Sequence, residues 1–243
     1  MWYSAPVCFN DPYDCDFAID ENDTINTLLS SSFVGDNTIK MGSPEWTAAY
    51  IAAKKNFPIL LNEFNCIKSS IGIACLSENY DSVLMWSHYA NNHKGMCIEY
   101  NLVDFNRVLG FTPIPVIYSK ERNVLRKLRV NSLDQDIMDF FIKSLVCKED
   151  SWKYENEWRI VRDDKACSNQ WNEEKHGALL DSISPTSVIL GYNAEPQFED
   201  MIIKKCKYEG VRVYKMEKGT DNYMMKKSNC WNNGGNKRGF AMT

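Results

Sequence analysis

Short strand-like runs alternate with helix-like ones along the whole chain, and that alternation limits it to a fold of interleaved helices and strands. Trp2-Tyr3-Ser4 reads as strand, and the Asn10-Asp11-Pro12 loop after it is turn chemistry. Ser43 caps a helix that Pro44 opens, which runs to Phe57, is interrupted by Pro58 and resumes over residues 59–67. Residues 71–76 form a small-residue apolar strand suited to a sheet centre, followed by a helix over 80–92 and a strand over 96–100. Pro113 and Pro115 push the next strand, 113–118, to an edge. Leu133, Ile137, Phe140 or Phe141, Ser144 and Leu145 recur at helical spacing over 133–147. Strands over 155–161 and 187–190, a helix over 196–208 and a strand over 211–216 complete the pattern. With no internal repeat and no linker, the expectation is a single α+β domain over residues 1–216, a mixed β-sheet flanked by helices. Residues 217–243, rich in Asn, Gly and Lys, are expected to be poorly ordered.

Composition narrows the function classes. A net charge of -4 over 243 residues gives no whole-chain attraction to nucleic acid or to an anionic membrane. No apolar run is long enough to span a bilayer, and the start of the chain lacks the basic-then-apolar pattern of a signal peptide, so a cytoplasmic protein is expected. The nine cysteines include no Cys-x-x-Cys pair and no close Cys-His spacing, which argues against structural zinc. In apolar settings such as Ile73-Ala74-Cys75-Leu76 they read as reduced, buried thiols.

Two segments concentrate chemistry. Ser87-His88-Tyr89 and His93-Lys94 sit where a helix gives way to a strand, offering proton transfer, phosphate contacts or hydrogen bonds to a substrate. The alternative is a half-buried packing patch whose polar tips bond the backbone. In Trp152-Lys153-Tyr154-Glu155-Asn156-Glu157-Trp158-Arg159, strand alternation puts Glu155, Glu157 and Arg159 on one face and Tyr154, Asn156, Trp158 and Ile160 on the other. That row is either a solvated face laced by an ion pair or a catalytic edge, and the flanking aromatics either stack on a planar ring or fill core. The two segments are expected to converge, with His88, Tyr89, Glu157 and Arg159 lining one cleft and His93 and Lys94 at its rim.

Taken with the Asn10-Asp11-Pro12-Tyr13-Asp14 loop, these motifs resemble a bacterial family catalogued as domain of unknown function 2971, in the same order and spacing over most of residues 1–216. The family is similar in layout to NAD-dependent ADP-ribosyltransferases, and that likeness implies transfer of ADP-ribose from NAD to a macromolecular substrate. It implies Glu157 as the catalytic carboxylate, with Glu155 and His88 assisting. Ser87, Tyr89, His93, Lys94, Trp158, Arg159, Asn10 and Asp11 would then bind the nucleotide. In the family a further strand precedes the Asn-Asp-Pro loop; its absence here is expected to leave an edge of the nucleotide cleft missing and NAD binding weak. A metal-dependent hydrolase or nuclease using Asp11, Asp14, Asp16, His88 and Glu157 is one alternative, although no ligand spacing calls for a metal and none is expected. A non-catalytic binding module is the other.

Overall fold

A computed structural model describes residues 1–32, 39–163, 167, 170–180 and 183–231. In chain order these form β1 (Trp2–Ser4), β2 (Ala18–Ile19), α1 (Glu21–Ser32), α2 (Pro44–Ser69), β3 (Gly72–Ser77), α3 (Val83–Tyr89), β4 (Met96–Glu99) and α4 (Leu102–Leu109). Next come β5 (Ile114–Pro115), β6 (Ile117–Ser119), β7 (Val124–Leu125), α5 (Leu133–Val146), β8 (Cys147–Glu149), a 3-10 turn (Asp150–Glu155) and β9 (Glu157–Arg162). The chain ends with β10 (Trp171–Asn172), β11 (Gly177–Leu179), β12 (Ser187–Leu190), α6 (Pro196–Glu209), β13 (Arg212–Lys218) and β14 (Met225–Trp231). The fold is α+β with mixed sheets. A six-stranded sheet has the order β10-β11-β1-β3-β9-β5, and a four-stranded one the order β14-β13-β12-β4. β12 and β13 are parallel, joined by the crossover helix α6, while β4 and β14 run antiparallel to their neighbours.

β3 lies at the centre of the first sheet, as its run of small apolar residues predicts, with β9 antiparallel beside it in a register that pairs Cys75 with Arg159 and Ser77 with Glu157. Alternation then gives the sheet two unlike faces. On one, Ala74 and Ile160 join Tyr3, Phe105 and Ala178 in an apolar core. On the other, Ile73 packs with Cys15, Leu145 and Val146, and the charged residues of β9 follow along the same face. The helical layer over α1, α2 and α5 has its own core, in which the rings of Phe17, Phe64 and Phe140 meet at 5.4–5.8 Å.

Three expectations change. Pro58 does not divide the helix that Ser43 caps: α2 is continuous from Pro44 to Ser69, because Pro58 is solvent-exposed, so water can take the carbonyl its ring frees, and buried Phe57 and Phe64 hold the helix on both sides of it. The helix expected over 80–92 is only α3, stopped where Asn91, Asn92 and His93 all take left-handed φ angles of 48°, 55° and 65°. Order continues past Glu217, since β14 pairs with β13 through Lys218↔Met225 to Val213↔Trp231; residues 232–243 lie outside the described residues. No helix among the described residues is long and apolar enough to cross a membrane.

Candidate functional site

The alternation read from Glu155-Asn156-Glu157-Trp158-Arg159 holds, with one refinement: β9 begins at Glu157, and Asn156, with φ 43°, turns the chain into it from the 3-10 turn that carries Glu155. The shared face points inward. Arg159 is wholly buried and engages all five of its N–H donors. Its Nε and Nη2 reach the two oxygens of Glu157 at 2.7 and 3.1 Å, and Nη2 also reaches Asp14 Oδ2 at 2.8 Å. Nη1 donates to the Leu145 carbonyl at 2.7 Å and to Cys15 Sγ at 3.1 Å. Lys148 Nζ lies 2.6 Å from Glu155 Oε2, 2.9 Å from Glu157 Oε2 and 3.5 Å from Asp14 Oδ2. Three carboxyls thus surround two cations in the interior, where charges are tolerated only when paired and hydrogen-bonded.

The electrostatics follow from that pairing. Burial works to raise the Glu157 carboxyl, but Arg159 and Lys148 outweigh it and hold it down at about 2. Burial works to lower Lys148, and Glu157 and Glu155 lift it above its ordinary value instead. The Cys15 thiol is pushed up to about 12 by burial, so it is a neutral member of the cluster.

The two segments singled out by sequence do meet, at one point. The Tyr89 hydroxyl donates to Glu155 Oε1 at 2.7 Å and is hydrogen-bonded by the Asn10 side chain; burial and the contact with Glu155 raise its pKa above the ordinary tyrosine value. Asn10, Tyr89, Glu155 and Lys148 therefore form a chain of hydrogen bonds from the surface to the buried cluster. Above it the Tyr89 and His88 rings lie 6.2 Å apart, His88 and Trp152 6.3 Å, and Trp152 and Tyr154 6.1 Å. These four rings make a stepped shelf, neighbours inclined at 63°, 59° and 31°, in which His88 and Tyr89 are exposed and Trp152 and Tyr154 half-buried, with Lys148 Nζ 5.0 Å from the Trp152 ring centre.

Other expected site residues fall elsewhere. Glu157 and Arg159 do not line a cleft, being 5% and 0% exposed. Trp158 points to the opposite face and donates from Nε1 to Glu78 at 2.8 Å. Lys94 is exposed 3.6 Å from Glu195, at the start of α6. His93 stacks on Trp86 and its Nε2 sits 3.1 Å from Ser87 Oγ, so both Ser87 and His93 belong to the junction with the second sheet rather than to the shelf. Asp11 is buried, with Oδ1 bound by the Tyr13 amide and Oδ2 without a partner. Asp16 pairs with Arg122 and Lys68, away from Asp14. No group of three or more His, Cys, Asp or Glu poised to hold a metal occurs among the described residues.

Cys75 corrects the expectation that its setting buries it. Its side chain is exposed, yet desolvation, followed by the neighbouring Glu157 carboxylate, pushes its thiol well above the ordinary value. Cys75 lies on the face of β3 that carries the charge cluster, two residues before exposed Ser77. We expect iodoacetamide to label Cys75 slowly at neutral pH and increasingly above pH 9, because its thiol is held protonated beside Glu157. Peptide mass mapping decides, and rapid labelling of Cys75 at pH 7 contradicts the raised thiol.

Residues 85–160 match the sequence model of a family described as protein of unknown function (DUF2971). The matched segment carries Tyr89, Lys148, Trp152, Glu155, Glu157 and Arg159, and leaves out Asn10, Asp14 and Cys75. No curated protein and no solved structure matches the chain.

Proposed function

We propose that the protein is a binding module for a planar, polar ligand of nucleoside type, which stacks on the shelf of Tyr89, His88, Trp152 and Tyr154. The observation that supports this is the row of four rings, partly open to solvent, standing over carboxylates and cations that already satisfy one another. Such a shelf offers a π-face to any base, and the Asn10 amide with the Tyr89 hydroxyl offers edge hydrogen bonds. Below it, Asp14, Lys148, Glu157 and Arg159 act as a rigid floor.

Glycosyl transfer from NAD to a macromolecule is the second reading, and the Tyr89–Glu155 bond is what favours it: Glu155 is the carboxylate that touches the shelf. The nicotinamide ring suits the aromatic row. The pyrophosphate does not suit the cations assigned to it, because Arg159 and Lys148 are engaged by carboxylates and Lys94 lies beside Glu195. The same geometry moves the carboxylate of interest from Glu157 to Glu155.

Titration of the whole chain with AMP and with NAD, followed by calorimetry, tests both readings. Base stacking contributes about 1–3 kcal/mol, so Trp152→Ala is expected to weaken AMP binding by roughly 5- to 150-fold. Failure of both compounds to bind, or equal affinity in Trp152→Ala and His88→Ala, removes the shelf as the site. Release of nicotinamide from NAD by the wild type that is lost in Glu155→Gln would establish the second reading in place of the first.

A further inference from the structure

The junction between α3 and the second sheet is built around a histidine held in one protonation state. His93 ends the left-handed run that stops α3, and its backbone does the work of a helix cap: its N–H donates to the Trp86 carbonyl at 3.1 Å, while Gly95 N–H takes the Ala90 carbonyl at 2.8 Å. Its own carbonyl receives the Asn193 amide at 2.9 Å and fits against Gly191, where an added Cβ would stand 2.1 Å from it. Three strained residues persist here because the second sheet holds them on one side and α3 on the other.

The imidazole has one consistent arrangement. Ser87 Oγ donates to the Val83 carbonyl at 2.9 Å, so its lone pair faces His93 Nε2, 3.1 Å away, and Nε2 carries the hydrogen. Nδ1 is buried with no partner. As a bare lone pair that is tolerable; as an N–H it would be a buried donor with no acceptor. This tautomer also excludes a Ser87–His93 nucleophile pair, which would need Nε2 unprotonated and the hydrogen on orphaned Nδ1.

We propose that His93 is a proton-operated latch: taking up a proton at Nδ1 opens the Asn91–His93 turn, uncaps the last turn of α3 and frees Tyr89 from Glu155. The charges facing the ring reinforce the direction. Lys218 on β13, lying over the Tyr192 ring at 4.6 Å, repels an imidazolium, and the Lys94–Glu195 pair beside the turn is already closed on itself. Trp86, stacked on the imidazole from α3, is apolar and buried. Desolvation, with Lys218 added, lowers the proton affinity of His93 below that of a free imidazole, so the latch is closed at neutral pH and opens as pH falls below about 6.5 toward the folded-state value. The latch rests on the shelf reading only in its consequence for ligand, since α3 carries His88 and Tyr89.

Hydrogen exchange of the α3 amides in the whole chain, corrected for intrinsic rates, tests this without any ligand. Protection of residues 86–90 is expected to fall as pH drops from about 6.5 toward the folded-state value of His93, by up to about tenfold per pH unit, to level off below that value, and to stay flat in His93→Gln, which cannot charge. The same fall in His93→Gln, or none in the wild type, overturns the latch. Nitrogen-15 NMR of the imidazole gives a second reading should that variant fail to fold: hydrogen on Nδ1 at pH 7.5, or titration at or above 6.5, overturns it as well. Absence of AMP binding at every pH, with the exchange profile as expected, counts against the shelf and leaves the latch standing.

Discussion

Arg159→Met is expected to cost about 3–5 kcal/mol of folding stability, because it leaves the Asp14 and Glu157 carboxylates buried around an apolar side chain. The guanidinium is 0% exposed and fixes three separate parts of the chain: the loop at Asp14, the end of α5 at Leu145, and β9 itself. Arg159→Lys is expected to recover little, since an ammonium has three donors and cannot span Glu157 in two-point fashion while also reaching Asp14 and the Leu145 carbonyl. Urea denaturation of the two variants against wild type provides the measurement. A loss under about 1 kcal/mol for Arg159→Met would falsify the view that the cluster holds the sheet to its covering loop and helix.

Acid is expected to unfold the protein through the same cluster. Glu157 titrates at about 2 in the folded state against 4.5 when unconstrained, so its contribution is complete above 4.5 and disappears as pH drops from there toward 2. The difference corresponds to roughly 3 kcal/mol. Thermal melts from pH 7 to pH 2 should show a steep fall in midpoint below pH 4.5 in wild type. Glu157→Gln should begin lower at neutral pH and fall less steeply over that window. Parallel profiles for the two proteins would place the acid sensitivity elsewhere.

How far this site was legible in the sequence depends on the range over which each contact is encoded. Glu155, Glu157 and Arg159 share a face because of a two-residue period, and that period is visible in the string itself. Which way the face points is not: Asp14 and Lys148 neutralise it, and Asp14 lies 145 residues before Arg159. Local reasoning therefore left a solvated row and a catalytic edge equally open, and the buried cluster is neither. Cys75 shows the same limit in reverse. Its neighbours are apolar and its strand is central, yet the residue is exposed, because what covers a strand face is set by elements remote in sequence. Pro58 and β14 were misread for a different reason, since propensity argued against both and tertiary packing overrode it. Ser43 and Pro44, whose capping chemistry is complete within four residues, were read correctly.

The position of β1 has a consequence for how the chain assembles. β1 is inserted between β3 and β11, pairing Ser4 with both Ile73 and Gly177, so it waits for residue 177 before its second neighbour exists. Asp14 waits nearly as long for Arg159. During translation β1 therefore has at most β3 beside it while α1 and α2 pack, and the central sheet closes only after residue 177 is made. Until then Asp14 remains hydrated, and the two cations of the cluster are not yet enclosed. Enclosure of the charges and closure of the sheet become one late, cooperative event, and a nascent chain stalled before β11 should expose β1 to protease while its helical layer is already protected.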